Sequence, residues 1–220
     1  AEELSATRAA VFDVLFATSC RHDEPQKTPR PYDKDRDGLV IGEGAGCLIL
    51  EEYEHAVARG ATIYAELVGY GSNTDGMHVT QPNRATMAEC MRLSLADADL
   101  QADAIHYING HGTATEQGDI AESQATMEVM GTHIPISSLK GYFGHTLGAC
   151  GAIEAMLAIT MMQQQTFIAN LNLDQVDTAC APLNYIQGQA QHLQAAYIMS
   201  NNFAFGGINT SLIFRNLQTH

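Results

Sequence analysis

The sequence predicts an α/β protein in which helices cover the faces of a layered sheet. Three observations carry this prediction. Between residues 62 and 215, short β-type segments alternate with helix-periodic segments in the order βαβαβαββ. The chain has 220 residues, 45% of them hydrophobic, which suffices for a good core. Residues 147–162 are apolar on nearly every side, which is typical of a helix buried between two layers.

The first 61 residues hold four predicted segments. Residues 1–18 predict a helix with one broad apolar face. Residues 20–38 predict a polar loop with five of the eleven Lys and Arg residues, and both a solvated loop and a basic edge that docks an acidic partner fit this pattern. Residues 39–51 predict a glycine-rich strand. Residues 52–59 predict a short helix closed by Gly60.

The rest of the chain predicts a regular alternation of strands and helices. The predicted strands are 62–70, 105–108, 134–137, 183–186, 197–200 and 208–215. The predicted helices are 85–98, 118–130 and 147–162. Right-handed crossovers place the loops after the first strands at one edge of such a sheet, where its sites lie. His111 and His145 both follow predicted strands, so we expect them at that edge.

Composition excludes several functional classes. The net charge of −14 argues against binding to nucleic acid or to an anionic membrane surface. No run has the length of a transmembrane span, no secretory signal opens the chain, and the start A-E-E-L-S suggests an internal cut. The five cysteines are scattered and form no C-x-x-C pair, which indicates reduced thiols in a cytoplasmic protein.

Two of the nine histidines, His111 and His145, are flanked by glycine at the junctions between strands, loops and helices. His145 precedes the long apolar helix, where the positive end of the dipole disfavours an imidazolium ion. We therefore expect His145 to stay neutral and to donate a hydrogen bond. Two such donors that converge on one carbonyl oxygen would stabilise a developing oxyanion or enolate.

Other kinds of site fit the sequence less well. The two histidines lack the spacing of a metal pair and a plausible third ligand, so we predict no metal. The G-x-S-x-G elbow of serine hydrolases is absent from the sequence. The segment G-E-G-A-G is followed by β-type residues, whereas a dinucleotide fingerprint is followed by a helix.

Three motifs, in this order along the chain, closely resemble those of the β-ketoacyl-acyl carrier protein synthases of the elongating, His–His type. They are N-G-H-G-T-A-T followed by D-x-x-E, S-S-L-K-G-Y-F-G-H-T-L-G-A-C-G, and S-N-N-F-A-F-G-G-I-N-T-S-L. The resemblance runs from residue 1 to about residue 215. It implies a thiolase-like fold of α-β-α-β-α layers. Residues 1–61 would then be the tail of the N-terminal half, and residues 62–220 the C-terminal βαβαβαββ half.

The resemblance also implies roles for individual residues. In this family a cysteine takes an acyl group from acyl carrier protein, and malonyl-carrier protein then loses CO₂ to give the carbanion that attacks the acyl thioester. His111 and His145 resemble the histidines that hold the malonyl thioester oxygen. Lys140 resembles the lysine that orders the site through carboxylates, and its candidate partners are Asp119, Glu122 and Glu154.

Further residues of the motifs resemble substrate contacts. Thr113 and Thr115 resemble the threonines that bind the phosphopantetheine arm. Phe205 resembles the gating phenylalanine of the acyl pocket, with Phe203 beside it, although a plain core aromatic stays open for Phe205. No resident cofactor is implied, since phosphopantetheine arrives on the carrier protein. Some members hold a monovalent cation in a buried site that is resembled by Asn109, Glu154, Ser200 and Asn201.

The sequence departs from the family at the nucleophile, whose strand–turn–helix elbow belongs upstream of residue 1. Cys150 lies within the buried helix and should be an inert thiol. We therefore predict the C-terminal portion of a bacterial 3-oxoacyl-acyl carrier protein synthase, inactive alone. The intact enzyme would use acyl- and malonyl-loaded carrier protein, require the N-terminal half and form a homodimer.

The rival interpretation is a non-catalytic ketosynthase-like partner of the chain-length-factor type, which shapes the acyl pocket or binds carrier protein. The presence of His111, Lys140 and His145 favours the catalytic interpretation. An initiating synthase is disfavoured, because that type carries asparagine at the position of His145.

Overall fold

The computed structural model describes residues 1–217. The helices are α1 (Ala6–Val14), α2 (Tyr53–Ala58), α3 (Arg84–Asp97), α4 (Glu116–Met130), α5 (Lys140–Phe143) and α6 (Cys150–Gln164). The strands are β1 (Glu66–Thr74), β2 (Tyr107–Asn109), β3 (Pro135–Ser137), β4 (Thr166–Phe167), β5 (Asn184–Tyr185), β6 (Gln191–His192), β7 (Tyr197–Ala204) and β8 (Ile208–Arg215). Within the described residues, no helix combines the length and apolar character needed to cross a membrane.

One six-stranded sheet organises the fold, with strand order β1-β8-β7-β2-β3-β5. β7, β2, β3 and β5 run parallel, and β8 and β1 continue the sheet antiparallel. One core cluster joins α3 and α4 to one face through residues such as Met91, Ala125 and Ile136. Another joins α6 to the opposite face through Ala158 and Ile198. The predicted sheet with helices on its faces is therefore confirmed.

The predicted elements differ from the observed ones mainly at their ends. β8 has the predicted bounds, and α3 and α4 begin within two residues of theirs. β1 lies four residues further along than predicted, since its ladder with β8 extends through Thr74. Two glycines allow α3 to pack directly on this strand, because an added Cβ at Gly69 would lie 2.8 Å from Ala98 Cβ and one at Gly71 would lie 2.8 Å from Ser94 N. The short helix α5 and the β4–β6 pair were not predicted.

The predicted strand at 39–51 is wrong, because these residues form only isolated bridges in the described structure. The alternating glycines have another use. An added Cβ would lie 2.8 Å from Ile153 Cδ1 at Gly44 and 3.0 Å from Ala152 Cβ at Gly46. The extended segment thus packs closely on α6, and its glycines leave the space that this contact requires. Several of its other side chains face solvent, and Ile49 is 83% exposed, whereas Leu48 packs against the core cluster of α6.

The polar loop at 20–38 is solvated over residues 21–28, as one interpretation expected, but much of its second part is buried. Arg30 and Asp33 are both buried and form an ion pair with an Nε–Oδ1 distance of 2.9 Å. Arg36 donates to Asp177 at 2.6 Å, and Tyr32 is fully buried. The loop is therefore anchored inside the second part of the chain. Two of its five basic residues are neutralised there rather than displayed to a partner.

The first helix is shorter than predicted and its apolar face is uncovered. α1 has no buried residue, and Phe16, which follows it with a φ of 53°, is 95% exposed. Within α6 the sheet-facing side is buried, whereas Met156 and Leu157 on the other side are 36% and 38% exposed. The strands of this chain therefore cover only one side of α6.

We expect the isolated 220-residue chain to self-associate. Each large apolar side chain left in water costs roughly 1.5–3 kcal/mol, a large share of a total stability of about 5–15 kcal/mol. Contiguous exposed patches of this kind mark interaction surfaces. Light scattering together with a dye for exposed apolar surface measures the effect. A stable dilute monomer that binds no dye would contradict it.

Candidate active site

The two glycine-flanked histidines meet at one edge of the sheet. β2 and β3 are parallel neighbours, so the loops that leave their carboxyl ends emerge together. His111 follows β2, and His145 follows β3 after α5. Their ring centroids lie 5.2 Å apart in a T-shaped arrangement. Both rings line a cavity of about 710 Å³, so the expected shared position is confirmed.

His145 is held in one tautomer. Its Nδ1 accepts a hydrogen bond of 3.1 Å from the Leu147 N–H, so the proton of the neutral ring lies on Nε2. Burial lowers the pKa of His145 to about 3, and the charge of Lys140 adds to the effect. Burial, rather than the dipole of α6, is therefore the main reason why the His145 ring is neutral. The residues that follow form a turn at Leu147–Ala149, and α6 begins only at Cys150.

His111 is surrounded by hydrogen-bond donors on one side. Its Nδ1 lies 3.1 Å from Lys140 Nζ and 3.3 Å from Asn202 Nδ2. Burial first, and then the charge of Lys140 and the neighbouring His145 ring, lower the pKa of His111 well below its usual value. A neutral His111 with its proton on Nε2 satisfies all of these contacts. Both rings then offer an Nε2–H donor.

A buried ion pair supports the histidines. Lys140 Nζ donates to Glu154 Oε1 at 2.5 Å, and both side chains are almost completely inaccessible. Glu154 is the single charge of α6, and Lys140 is the partner that such a buried charge requires. Ligand atoms of His111, Cys150 and Glu154 lie within 4.8 Å of one another, as a metal site would require. The Lys140 ammonium contacts two of these three residues, so it already supplies the positive charge there.

Asp119 and Glu122 act on the backbone of the His111 loop. Glu122 accepts the N–H groups of His111 at 2.6 Å and Gly112 at 2.7 Å. Asp119 accepts the Tyr32 N–H at 2.7 Å and faces Arg36. Burial raises the pKa of Glu122 to about 7 and that of Asp119 to about 6. Of the three candidate partners of Lys140, Glu154 alone forms a direct bond to it, and the other two brace the loop.

The predicted substrate-binding residues line the same cavity. The hydroxyls of Thr113 and Thr115 lie 2.8 Å apart. Phe203 is buried and meets the His111 ring edge-on at 6.3 Å, whereas Phe205 is 37% exposed and stacks on Phe12 at 5.6 Å. Phe205 is therefore not a plain core aromatic.

The four residues of the predicted cation site do not form one cage. The Asn109 amide donates to Ser200 Oγ at 3.1 Å, which places both on the α6 face. Asn201 alternates with Ser200 along β7 and therefore faces the other way. Its cross-strand partner Ser211 contacts Ser94 of α3, on that opposite face. We derive no step through a cation.

Two residues of the site were not predicted. The Tyr32 hydroxyl donates to Glu122 Oε2 at 3.2 Å, which braces the His111 loop from 90 positions away in sequence. Asn202 donates to Glu154 Oε2 at 2.7 Å. Strand alternation was the available signal for Asn202, since it shares a face with Ser200. Cys150 is buried and burial raises its thiol pKa, in agreement with an inert thiol, although it also lines the cavity.

Comparison with known proteins shows the family. Residues 64–174 match the family described as "Beta-ketoacyl synthase, C-terminal domain", and residues 4–56 match "Beta-ketoacyl synthase, N-terminal domain". The chain therefore belongs to the β-ketoacyl synthase family, and the resemblance drawn from its motifs is confirmed. The predicted division at residues 61 and 62 stays a prediction, and positions 218–220 of the second segment lie outside the described residues.

Individual relatives agree with this assignment. The 3-oxoacyl-[acyl-carrier-protein] synthase 2 of Coxiella burnetii is 39% identical over 218 residues, which cover 96% of this chain and 52% of that protein. A β-ketoacyl synthase from Burkholderia phymatum STM815 superposes with a TM-score of 0.98 at 63% identity, over 99% of this chain and 53% of that one. The thiolase-like fold is confirmed by these neighbours.

A second similar structure comes from AntDE:AntF, the complex of a type II PKS acyl-carrier protein with its ketosynthase. Its TM-score is 0.93 at 37% identity, and the match covers 99% of this chain and 55% of that one. The present chain thus spans about half the length of the relatives it matches.

Proposed function

We propose that this chain is part of a 3-oxoacyl-acyl carrier protein synthase, which extends an acyl group by decarboxylative condensation with malonyl-carrier protein. One observation carries the proposal. His111 and His145 are both neutral, both have Nδ1 engaged by donors, and both line one cavity, so two Nε2–H groups can donate to one oxygen. The relatives named 3-oxoacyl-acyl carrier protein synthases support the same reaction.

The proposed chemistry follows the movement of one electron pair. The bond between the malonyl α-carbon and its carboxylate breaks and CO₂ leaves. The electron pair delocalises onto the thioester oxygen, where the two N–H groups stabilise the enolate charge. The α-carbon then attacks the carbonyl of the enzyme-bound acyl thioester. A new carbon–carbon bond forms, and the cysteine sulfur leaves as thiolate.

This chain's other residues have supporting roles in the proposal. Thr113 and Thr115 offer paired hydroxyls to the amide groups of a phosphopantetheine arm. The Lys140–Glu154 pair keeps a positive charge beside His111, which favours the neutral ring. The nucleophilic cysteine comes from the half that the relatives carry and this chain lacks, and that half also covers the exposed side of α6.

We also propose the setting in which the enzyme works. The partners are acyl- and malonyl-loaded carrier protein, as the neighbouring ketosynthase–carrier complex suggests, and the intact protein is a homodimer. Five free cysteines favour a reducing compartment, the cytoplasm. The non-catalytic alternative is disfavoured because such a partner has no need of a Lys140–Glu154 pair built against His111.

A condensation assay tests the proposal. The protein is this chain together with the half carried by its relatives, called here the intact protein. Acyl-carrier protein and [¹⁴C]malonyl-carrier protein are supplied, and CO₂ release and product mass are followed. We expect one CO₂ for each 3-oxoacyl product. Carrier binding without CO₂ or product would instead support the non-catalytic partner.

Phe205→Ala in the intact protein should change the chain-length preference more than the stability. The ring is partly exposed at the cavity, and Gly206 and Gly207, with φ of 82° and 75°, give its loop a backbone that other residues rarely adopt. Product profiles and melting temperatures are compared for the variant and the parent. A large loss of Tm with an unchanged product profile would contradict the gating role.

A further inference from the structure

Asn202 of β7 occupies the centre of the site, although neither a charge nor a recognised motif role marks it. Its amide nitrogen lies 2.7 Å from Glu154 Oε2, 3.3 Å from His111 Nδ1 and 3.7 Å from Cys150 Sγ. Together with Lys140, it occupies both oxygens of Glu154. The Lys140 ammonium and the Asn202 amide each contact both the Glu154 carboxylate and His111 Nδ1.

The orientation of this amide follows from its neighbours. Glu154 is paired with the Lys140 ammonium and is therefore ionised and able only to accept. The amide group that faces Glu154 must then be the NH₂ and not the carbonyl. The same NH₂ has a second proton, which is directed between His111 Nδ1 and Cys150 Sγ. The Asn202 carbonyl oxygen lies towards Gly151, where an added Cβ would be only 2.9 Å away.

His111 Nδ1 consequently faces two groups that can only donate, the Lys140 ammonium and the Asn202 NH₂. A protonated Nδ1 would place hydrogen against hydrogen at both contacts. The ring must therefore accept at Nδ1 and carry its proton on Nε2, the atom left for the cavity.

We propose that Asn202 is a positioning residue that fixes the Nε2–H tautomer of His111 and holds the second oxygen of Glu154. This inference rests on the proposed function for its effect on the reaction, but the tautomer is a property of the protein alone. Lys140 supplies the same preference by charge, whereas Asn202 supplies it by a neutral donor anchored on a strand of the sheet.

The test uses ¹⁵N-histidine-labelled intact protein and reads the protonation of His111 directly by two-bond ¹⁵N–¹H NMR, with the signals assigned from a His111→Gln variant. The charged and titratable groups near the ring are Lys140, Glu154, Glu122, His145 and Cys150. We expect an unprotonated Nδ1 and a protonated Nε2 throughout pH 5–8. A proton on Nδ1 of the parent protein in that range would overturn the proposal without any variant.

Asn202→Asp keeps the side-chain shape and replaces the donor by an oxygen. If the new carboxyl oxygen is protonated so that it can donate to Glu154, it has no second proton for His111, and it faces His111 Nδ1 with a lone pair. Lys140 still favours the Nε2–H form, so we expect Nδ1 to become protonated in part of the molecules and CO₂ release to fall by up to about a hundredfold, the effect of losing one oxyanion donor completely. Asn209→Asp is the matched control, because Asn209 is buried on β8 and contacts Asn73 and Thr86 instead.

The outcomes separate this inference from the proposed function. Unchanged His111 signals in a folded Asn202→Asp protein, or equal changes in the Asn209→Asp control, would overturn the role of Asn202. The expected NMR change in a protein whose parent releases no CO₂ would support the role of Asn202 and contradict the synthase function.

Discussion

Replacing His111 or His145 by alanine in the intact protein should lower malonyl decarboxylation by about a hundredfold or more. Each substitution removes one of the two N–H donors that we propose to share one thioester oxygen, and the loss of one oxyanion donor typically costs about 10²–10³ in rate. Release of ¹⁴CO₂ measures this step directly. His192→Ala is a suitable control, since His192 is exposed on β6 and contacts Thr166.

The same two variants should retain more of the first half-reaction. Acylation of the cysteine does not require the carbanion, so a single-turnover acylation assay should show a smaller loss than CO₂ release does. Undiminished decarboxylation in either variant would remove that histidine from the proposed site. An equal loss in the His192→Ala control would point to a general effect on the protein.

Glu154→Gln should be the most destabilising change in the site. It leaves the Lys140 ammonium, which is 1% exposed, without its carboxylate. Removing one partner of a buried ion pair costs about 3–5 kcal/mol, because the remaining charge is uncompensated. Urea unfolding of the intact protein measures the change in the free energy of unfolding.

Glu128→Gln provides the matched control on the surface. Glu128 pairs with Arg84 and Arg92, all substantially exposed, and such pairs contribute about 0–1 kcal/mol. The double variant Lys140→Met/Glu154→Gln should recover part of the lost stability, since it removes the unpaired charge. A Glu154→Gln protein as stable as the Glu128→Gln protein would show that the buried pair has no such role.

The sequence predicted those elements that have a regular local pattern of hydrophobic residues. α3 and α4 have helical periodicity and β8 has a strong β-type composition, so each was found within two residues at its beginning. The strand predicted at residues 39–51 was wrong because of the glycines at 42–46. Glycines between β-type residues give the same sequence pattern in a paired strand as in an extended segment that packs closely on a helix. Only the position of α6 distinguishes these two uses.

Long-range contacts set the limit for the site. The motif resemblance named His111, His145, Lys140 and Glu154, and the structure brings these four together. The motif resemblance could not reveal that Asp119 and Glu122 accept hydrogen bonds from backbone N–H groups of the 110–114 loop, because these bonds depend on how that loop folds. Arg36 is 141 positions from its partner Asp177, and no local pattern connects them.

The proposed mechanism requires that the Nε2–H groups of His111 and His145 share one thioester oxygen. A crystal structure of the intact protein with a non-hydrolysable malonyl-pantetheine analogue tests it most directly. We expect both Nε2 atoms at about 2.7–3.1 Å from the thioester oxygen, with the pantetheine arm against Thr113 and Thr115. A thioester oxygen bound by other donors, with either histidine beyond hydrogen-bond distance, would contradict it.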